Sequence, residues 1–565
     1  MSRQFQPPVR ILLVALYSER HPAIGESHAL AILGGCLETK LGSQIEVELV
    51  DLYAVQGDRR KILLDTIKEF QPHILGISTT YGSYEFLEDV YPDIQKVRVA
   101  NPSLTVFGGP LATYVPRQFL EEIDPSAIVV IGEGDDAIVK ITQKVLERSP
   151  VDTSIPNLIF FMDGQMLKTQ RACINLHTLP MPKRKLSGEI FSMGGQVFLE
   201  SSRGCSWGRC TFCNRGLIDL DNGEPWRRCT VERVVSDLKE LQGRGVTEAT
   251  FADEDFIGGD IQSAWYWFSN LFQACRDIKA NLHYYVSVRP KSIYSAKWSN
   301  NELNISNKLW NMLRQFGVRK AFLGIESASE SQLQRYGKSM EPEEAIGAIQ
   351  MVRQSGMDND IGFIIFDPLC TLNEIRENIN FIKTQGIVGA ISAVDNELRI
   401  HEGSRYLSLL RLEENKRGIQ LFERPFCKST LTYKPLYAYP TVRTLIEEVR
   451  VWREGWHRMH YLAKSLSRYG TTGAVGHSIS PLRNIVIQMR NNFLTRLDEL
   501  TRVTEAGMGE KKKVRLRFAN DIYRVAGAVI EFVSEIKLCR DKDELLNQLR
   551  EAADASIKWA KTQAA

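Results

Sequence analysis

The sequence predicts an α/β protein in three parts: a doubly wound parallel sheet, a partial barrel of six βα units, and a mainly helical C-terminal domain. Three observations predict this fold. Short β-branched runs alternate with amphipathic stretches up to about residue 149, a second such series follows to residue 394, and only helical periodicity remains beyond about residue 409. We expect a first domain over residues 1–155, a linker over 156–190, a barrel over 191–405 and a helical domain over 406–565.

Five apolar runs predict the strands of the first sheet. They are Ile11 to Leu16, Ile45 to Leu52, His73 to Ser78, Leu104 to Gly108 and Ala127 to Gly132. Small residues end three of these strands, and open α/β sheets bind their ligands at the carboxyl ends of the strands. The candidate ligand loops contain Ser78, Thr79, Thr80, Gly108, Gly109, Gly132, Glu133 and Gly134.

Prolines and basic residues at 180–184 predict the linker before the second series. The six strands predicted after it are Gln196 to Ser201, Glu248 to Ala252, His283 to Val288, Lys320 to Ile325, Asn359 to Phe366 and Ala390 to Val394. Predicted helices over 231–242, 343–355 and 372–384 alternate with these strands. This order is typical of a partial or open barrel.

Apolar residues at helical spacing dominate the third part. Two stripes repeat at intervals of three and four residues: Leu445, Val449, Trp452, Trp456 and Met459, then Leu482, Val486, Met489, Phe493, Leu497 and Leu500. Such stripes predict buried helix faces. The basic run over 511–517 is better explained as a solvated helix face than as a ligand patch.

Composition limits the classes of protein that the chain can be. Its 565 residues are 43% hydrophobic and 25% charged, which suits several cores, and the net charge of +3 does not indicate a nucleic-acid partner. No apolar run approaches the roughly 18 residues of a membrane span, and no secretory cleavage pattern is present. We therefore expect a soluble, cytoplasmic protein. Ten thinly spread cysteines predict a reducing compartment.

Three of those cysteines lie within nine residues, directly after the first strand of the second series. Cys205, Cys210 and Cys213 form a loop compact enough to bind three irons of an iron–sulfur cube, which leaves the fourth iron open to a substrate. The alternative is a structural zinc site completed by Cys229 or by a distant histidine.

Together with the strand motifs that follow it, this loop resembles that of the radical S-adenosylmethionine (SAM) enzymes. The preceding domain resembles the flavodoxin- or Rossmann-like cobalamin-binding domain that is fused to one large branch of that superfamily. The resemblance spans residues 9–405 and implies three cofactors: a [4Fe–4S] cluster, SAM and cobalamin. One departure is the spacing of four residues between the first two cysteines, where the family usually has three.

The resemblance also implies which residues contact SAM. Phe212 precedes the last cysteine, where the family places an aromatic side chain near the adenine. Asp253 and Glu254 match the acidic motif that holds the SAM amino end, although a surface turn after a strand explains an acidic triplet equally well. The remaining contacts implied by the family motifs are Ser287, Arg289, Glu326, Ser327 and Gly362.

The ligand loops of the first domain resemble those around the nucleotide tail of the corrinoid. Corrinoid domains with a lower axial histidine carry the motif Asp-x-His-x-x-Gly after the first strand. In this chain, segment 18–25 lacks the aspartate and shifts the glycine by one residue. His21 and His28 are candidate cobalt ligands, and the alternative is that each is an ordinary solvated histidine.

By family analogy, the chain is expected to be a cobalamin-dependent radical SAM methyltransferase. It would use a 5′-deoxyadenosyl radical and methylcobalamin on an unactivated centre of a small-molecule or peptide natural-product intermediate, with an electron donor such as flavodoxin or ferredoxin. One alternative is rearrangement or oxidative cyclisation without methyl transfer. The other is an iron–sulfur or corrinoid protein for binding or electron transfer. The sequence indicates no individual catalytic side chain.

Overall fold

The computed structural model describes residues 8–18, 25–99, 103–213, 226–427, 430, 432–467, 473–504, 508–536 and 543–564. Within these ranges, the α/β class, the two sheets and the helical C-terminal region of the predicted fold are confirmed. None of the helices described is long and apolar enough to cross a membrane.

The first sheet has seven strands in the order 2-1-3-4-5-6-7. They are β1 (Val9–Ala15), β2 (Ile45–Asp51), β3 (Ile74–Ser78), β4 (Leu104–Gly108), β5 (Ile128–Val130), β6 (Leu158–Met162) and β7 (Gln165–Lys168). The first five strands are parallel, which is the doubly wound arrangement predicted. The main helices around them are α1 (His28–Leu41), α2 (Arg59–Phe70), α3 (Tyr84–Arg98), α4 (Gly109–Tyr114) and α5 (Asp135–Leu146).

Part of the segment that the sequence predicts as a linker belongs to this sheet. Strands β6 and β7 form an antiparallel hairpin, and β6 also pairs with β5 through Ile128 and Phe160. The first sheet therefore continues to Lys168, beyond the expected boundary at residue 155. Apolar side chains at 158–160 allow this extension because they add to the core of the first sheet.

The second sheet consists of five parallel strands in the order 14-13-12-11-8. They are β8 (Phe198–Leu199), β11 (Glu248–Phe251), β12 (His283–Val288), β13 (Val318–Glu326) and β14 (Asp358–Phe363). Between β8 and β11, the short strands β9 (Ser202–Gly204) and β10 (Trp226–Arg228) form a separate antiparallel ribbon. The helices that alternate with the strands after α6 (Ser187–Ser192) are α7 (Val231–Gly243), α8 (Ile261–Asp277), α9 (Asn300–Phe316), α10 (Glu330–Arg335), α11 (Pro342–Gln354) and α12 (Leu372–Thr384).

The sixth predicted strand is reduced to one parallel bridge between Ile361 and Ile391. The Ala390 and Ile391 amides both donate to the Ile387 carbonyl, at 2.9 and 3.1 Å, so the start of this segment forms a turn instead of a strand. Lys464 donates to the Ser392 carbonyl at 3.3 Å, and Arg453 donates to the Asp395 carbonyl. A helix thus covers the edge at which a further strand would pair.

The C-terminal region is helical, as predicted. After α13 (Arg405–Arg417) and the short strand pair β15 (Ile400–His401) and β16 (Thr432–Tyr433), four long helices pack together: α14 (Pro440–Ser467), α15 (Gly473–Val503), α16 (Met508–Glu535) and α17 (Asp543–Ala564). Both apolar stripes are buried, and the Trp452 and Phe518 rings stack with centroids 4.5 Å apart. In the basic run, Lys513 and Arg517 form exposed ion pairs with glutamates, as a solvated face would, whereas Arg515 binds the buried Glu448 of α14.

Candidate active site

The cysteine loop leaves β9 and is anchored to the segment after α10. Thr211 binds this segment twice: its amide donates to the Tyr336 carbonyl at 2.8 Å and its hydroxyl to the Arg335 carbonyl at 2.9 Å. The Trp207 indole donates to the Gly337 carbonyl at 2.8 Å. Gly208 adopts a positive φ of 56°, a conformation that glycine tolerates. The four-residue spacing is therefore accommodated by a left-handed turn and a side-chain anchor.

The thiol side chains of this loop suit an iron–sulfur cluster, because they are of the right chemical type and are accessible to a ligand. Cys205, Cys210 and Cys213 form no disulfide, and each is partly exposed. Cys229, the proposed fourth zinc ligand, is instead buried in the core, and burial raises the pKa of its thiol to about 12. Among the residues described, no three Cys, His, Asp or Glu side chains are close enough to bind a metal ion together, so the thiols are not drawn into a preformed ligand set.

The acidic motif after β11 divides between two roles. Asp253 is buried and accepts hydrogen bonds from the Ser201 amide at 3.0 Å and the Ser201 hydroxyl at 2.6 Å. Burial raises the pKa of Asp253 to about 6. Glu254 is partly exposed and accepts from the Gly204 amide at 3.1 Å. The structure therefore places Glu254 at the open end of the barrel and Asp253 beneath it.

Arg289, after β12, lies beside the cysteine loop. It donates to the Ser206 hydroxyl at 2.8 Å, and its guanidinium lies 5.7 Å from the centroid of the Trp207 ring. Ser287 is partly exposed at the end of β12, and its carbonyl accepts from the Phe256 amide. Arg289 therefore connects the third strand to the first arc of the cysteine loop.

Two of the residues predicted on the fourth and fifth strands come together. Glu326 has a positive φ of 71°, and its carboxylate lies 3.8 Å from the Lys338 ammonium. A Cβ at Gly362 would lie 3.3 Å from that carboxylate, so this glycine leaves room for it. Burial raises the pKa of Glu326, and Lys338 opposes the shift.

Ser327 and Phe212 have partners of their own. The Ser327 hydroxyl is fully buried and bonds to Gln332 and Asn378, so it does not reach the open end of the barrel. Phe212 is partly exposed and packs edge-on against Tyr336, with ring centroids 5.4 Å apart. It therefore forms part of the apolar surface beside the cysteine loop.

The loops of the first domain are organised by backbone contacts. The Thr79 hydroxyl donates to the Gly108 carbonyl at 2.8 Å, and the Thr80 amide donates to the Ser83 hydroxyl at 3.0 Å. A Cβ at Gly109, where φ is 89°, would lie 2.4 Å from the Thr79 carbonyl oxygen. Only glycine allows the loops after β3 and β4 to approach each other this closely.

A cavity of about 430 Å³ lies between these loops and the barrel. The first domain contributes Ser78, Gly108, Gly109, Gly132, Glu133 and Gly134, and the barrel contributes Ser202, Gly204, Ala252 and Glu254. Thr79 and Thr80 support the wall without lining it. A Cβ at Gly108 would point into open space, so the missing side chain leaves room for a ligand. The cavity thus fits a large cofactor held by backbone and apolar surface.

His28 lines the same cavity at the start of α1. Its Nε2 atom is buried and has no hydrogen-bond partner among the residues described. Burial and the nearby Arg184 hold the pKa of His28 well below its usual value, so the imidazole is neutral. His21, the other candidate, lies outside the described residues.

Several charged residues at the cavity were missed by sequence reasoning. Arg203 binds both oxygens of Asp135, at 2.8 and 3.0 Å, and Arg227 binds Glu133. Arg203 stands two residues before Cys205, and this position is the signal that could have identified it. Glu133, predicted as a cofactor contact, uses its carboxylate for Arg227 and for the Ile174 amide.

Comparisons with known proteins agree with this geometry. Residues 22–142 match the family described as B12 binding domain, and residues 199–382 match the radical SAM superfamily. The chain belongs to the radical SAM enzymes that carry a cobalamin-binding domain. The predicted resemblance is confirmed, and with it cobalamin, SAM and a [4Fe–4S] cluster as the cofactors that the two matched domains use.

Solved structures share the whole fold. The cobalamin-dependent radical SAM enzyme OxsB superposes with a TM-score of 0.81 at 20% identity, covering 98% of this chain and 84% of that one. The radical SAM methyltransferase TsrM from Kitasatospora setae gives a TM-score of 0.57 at 15% identity, covering 90% of this chain and 99% of that one. At these identities the likeness shows the fold.

Curated relatives differ in the reactions that their names describe. The 4'-phospho-dehydrooxetanocin synthase of Priestia megaterium is 28% identical over 358 residues, covering 60% of this chain and 46% of the relative. The hopanoid C-3 methylase of Methylococcus capsulatus is 23% identical over 331 residues, covering 57% and 58%. The matches thus span less than two thirds of these relatives.

Proposed function

We propose that this enzyme is a methyltransferase acting on an unactivated centre of a small-molecule or peptide natural-product intermediate. The observation that carries the use of both cofactors in one reaction is the cavity lined by both the corrinoid-type loops and the open end of the SAM barrel. A reaction that needs both cofactors requires both of them to lie next to the same bound substrate. Relatives named as methylases support the choice of methyl transfer.

The chain's residues have distinct proposed roles. Cys205, Cys210 and Cys213 hold the cluster, and the loops at Ser78, Gly108 and Gly132 hold the corrinoid. When bound, the cofactors supply a 5′-deoxyadenosyl radical and a transferable methyl group. Glu254, Arg289 and Glu326 surround the SAM position with fixed charges. Phe212, packed on Tyr336, excludes water beside the cysteine loop.

Rearrangement or oxidative cyclisation without methyl transfer is the second candidate. The OxsB fold covers nearly the whole chain, and the synthase of Priestia megaterium matches at higher identity than the methylases. The same cavity would serve either reaction. The two differ in whether the substrate gains a methyl group.

Anaerobic reconstitution with iron, sulfide, hydroxocobalamin and SAM carrying a deuterated methyl group tests the proposal. A chemical reductant, or flavodoxin or ferredoxin as the proposed physiological donor, starts turnover. Candidate substrates are then screened by mass spectrometry for a labelled methyl group. A labelled product supports methyl transfer, whereas an unmethylated product formed with 5′-deoxyadenosine supports the second candidate.

The cysteine loop provides the control for this experiment. Cys205→Ala should abolish 5′-deoxyadenosine formation, because a cluster with two remaining ligands no longer binds SAM productively. Cys427→Ala, at an exposed thiol outside the cysteine loop, should leave it unchanged. Formation of 5′-deoxyadenosine by the wild-type enzyme, lost in Cys205→Ala, would exclude a protein that only binds cofactors or transfers electrons.

A further inference from the structure

The ribbon formed by β9 and β10 joins the two cofactor regions. Its strands pair antiparallel, with Arg203 opposite Arg227 and Gly204 opposite Trp226. Cys205 follows Gly204 directly. Any displacement of the ribbon therefore moves the start of the cysteine loop.

Two of the ribbon's three arginines, Arg203 and Arg227, bind the same segment of the first domain. Arg203 donates to the two Asp135 oxygens, at 2.8 and 3.0 Å. Arg227 donates to both Glu133 oxygens, one of them at 3.2 Å. These two carboxylates flank Gly134, in the loop after β5 that lines the cavity. We call these four residues the arginine clamp.

Neighbouring groups hold the clamp on both sides. Glu200 accepts from Arg203 at 2.9 Å and from Arg233 at 3.2 Å. On the other side, the Ile174 amide donates to Glu133 at 2.8 Å, and Arg227 donates to the Ile174 carbonyl at 2.6 Å. Each clamp arginine thus has partners in more than one segment, which restricts its rotamers.

Little water reaches these ion pairs. The Asp135 and Glu133 side chains are 4% and 14% exposed, and those of Arg203 and Arg227 are 15% and 16% exposed. Removal of one partner from a buried pair leaves an uncompensated charge, so the pair resists separation more strongly than a surface pair does.

We propose that the arginine clamp fixes the position of the corrinoid-binding loop relative to the cysteine loop. Its members are positioning residues, because they act through the loops that they join. Without the clamp each cofactor still binds, but the distance and orientation between the two sites vary. The proposal depends on the presence of both cofactors and does not depend on which reaction follows.

Electron paramagnetic resonance of the reduced holoenzyme tests the proposal without substrate. Cob(II)alamin and the reduced cluster are both paramagnetic, so the cluster accelerates relaxation of the cobalt spin according to their separation. In Arg227→Gln we expect a broadened distribution of relaxation rates, with iron and corrinoid contents unchanged. Arg244→Gln, which removes an exposed arginine paired with Glu240, should retain the wild-type relaxation. Wild-type relaxation in Arg227→Gln would overturn the proposal.

Hydrogen exchange gives an independent readout if Arg227→Gln loses a cofactor. Amides at 132–135 and 203–205 should exchange about tenfold faster in Arg227→Gln and Glu133→Gln, and the double variant should add little to either. Additive effects would show that the two residues act separately and would contradict a clamp. Arg227→Lys, which keeps the charge, should restore part of the protection.

This experiment also separates the inference from the proposed function. Altered relaxation in a variant of an enzyme that makes no methylated product would support the clamp and refute methyl transfer. Unaltered relaxation in Arg227→Gln, together with a methylated product from the wild-type enzyme, would refute the clamp and support methyl transfer.

Discussion

The two walls of the cavity are built in different ways. Most of the wall from the first domain is backbone, glycine and apolar side chains, and at Gly108 it leaves open space where a side chain would stand; its carboxylates, Glu133 and Asp135, are bound by Arg227 and Arg203. The wall from the barrel presents charged side chains, among them Glu254, which accepts from the Gly204 amide. One wall therefore accommodates a ligand by shape, and the other orients a ligand by charge.

This difference predicts how each wall responds to substitution. Where shape determines binding, a side chain that fills the space lowers the affinity for the ligand, even if no contact is lost. Where charge determines binding, the affinity falls when one member of an ion pair is removed, because its partner is left as an uncompensated buried charge. Substitutions can therefore affect one cofactor while leaving the other bound.

The largest effect is expected from filling the first wall. Gly108 has an extended φ of −147° that any residue adopts, so Gly108→Phe should fold normally. We expect corrinoid affinity to fall at least about a hundredfold, or about 2.7 kcal/mol, while SAM affinity is retained. Spectroscopic titration of the apoprotein with hydroxocobalamin measures the change. Gly243→Ala, also in open space, is the control, and tight corrinoid binding by Gly108→Phe would contradict a wall defined by shape.

Local signals were sufficient to predict most of the fold. Alternating apolar runs predict the five parallel strands of the first sheet, and the cysteine spacing identifies the loop after β9. The hairpin of β6 and β7 was not predicted, although its turn at Asp163-Gly164 is a local hairpin signal that sequence reasoning missed. The sixth barrel strand was overpredicted, because the Ala390 and Ile391 amides donate to the Ile387 carbonyl in a turn that the apolar pattern does not reveal.

The sequence predicted where the residues of the candidate site lie along the strands better than it predicted which contacts they make. Glu254, Arg289 and Glu326 lie at or just after the ends of β11, β12 and β13, and their contacts with SAM stay predictions. Motifs do not reveal that Asp253 and Ser327 turn inward, because Ser201 and Asn378, which bind them, lie about 50 residues away in the sequence. The ion pairs of Arg203 and Arg227 were likewise invisible, since each joins residues more than 60 positions apart.

The second prediction concerns the pH dependence of stability and tests Asp253, the buried carboxylate next to Glu254. Burial raises the pKa of Asp253 to about 6, above the unfolded value near 3.8. The folded state therefore binds the proton more tightly, and the free energy of unfolding should fall as pH rises from about 4 to 6. The two pKa values limit this loss to about 3 kcal/mol. Urea unfolding of the apoprotein measures it, and Asp253→Asn should remove that part of the slope. An unchanged slope in the variant would assign the pH dependence to other groups.

The smallest effect is expected at Lys338, which pairs with Glu326 at the end of β13, outside the cavity lining. Its ammonium donates to the Gly324 carbonyl at 2.5 Å and lies 3.8 Å from Glu326. In Lys338→Met, Glu326 loses that charge, its pKa rises further, and a larger fraction is protonated near neutral pH. We expect SAM affinity to fall about tenfold, or about 1.4 kcal/mol, and to recover partly at higher pH, with corrinoid affinity unchanged.

Equilibrium binding of SAM to the reconstituted enzyme, measured across a pH series, checks this expectation. Lys320→Met is a matched control, because it removes a lysine from the same strand as Glu326, where it pairs with Asp360 at 3.4 Å. If Lys338→Met weakens corrinoid binding as much as SAM binding, the affinities for the two cofactors are not independent. The charge at Lys338 would then contribute to the position of the whole cavity, as the arginine clamp does.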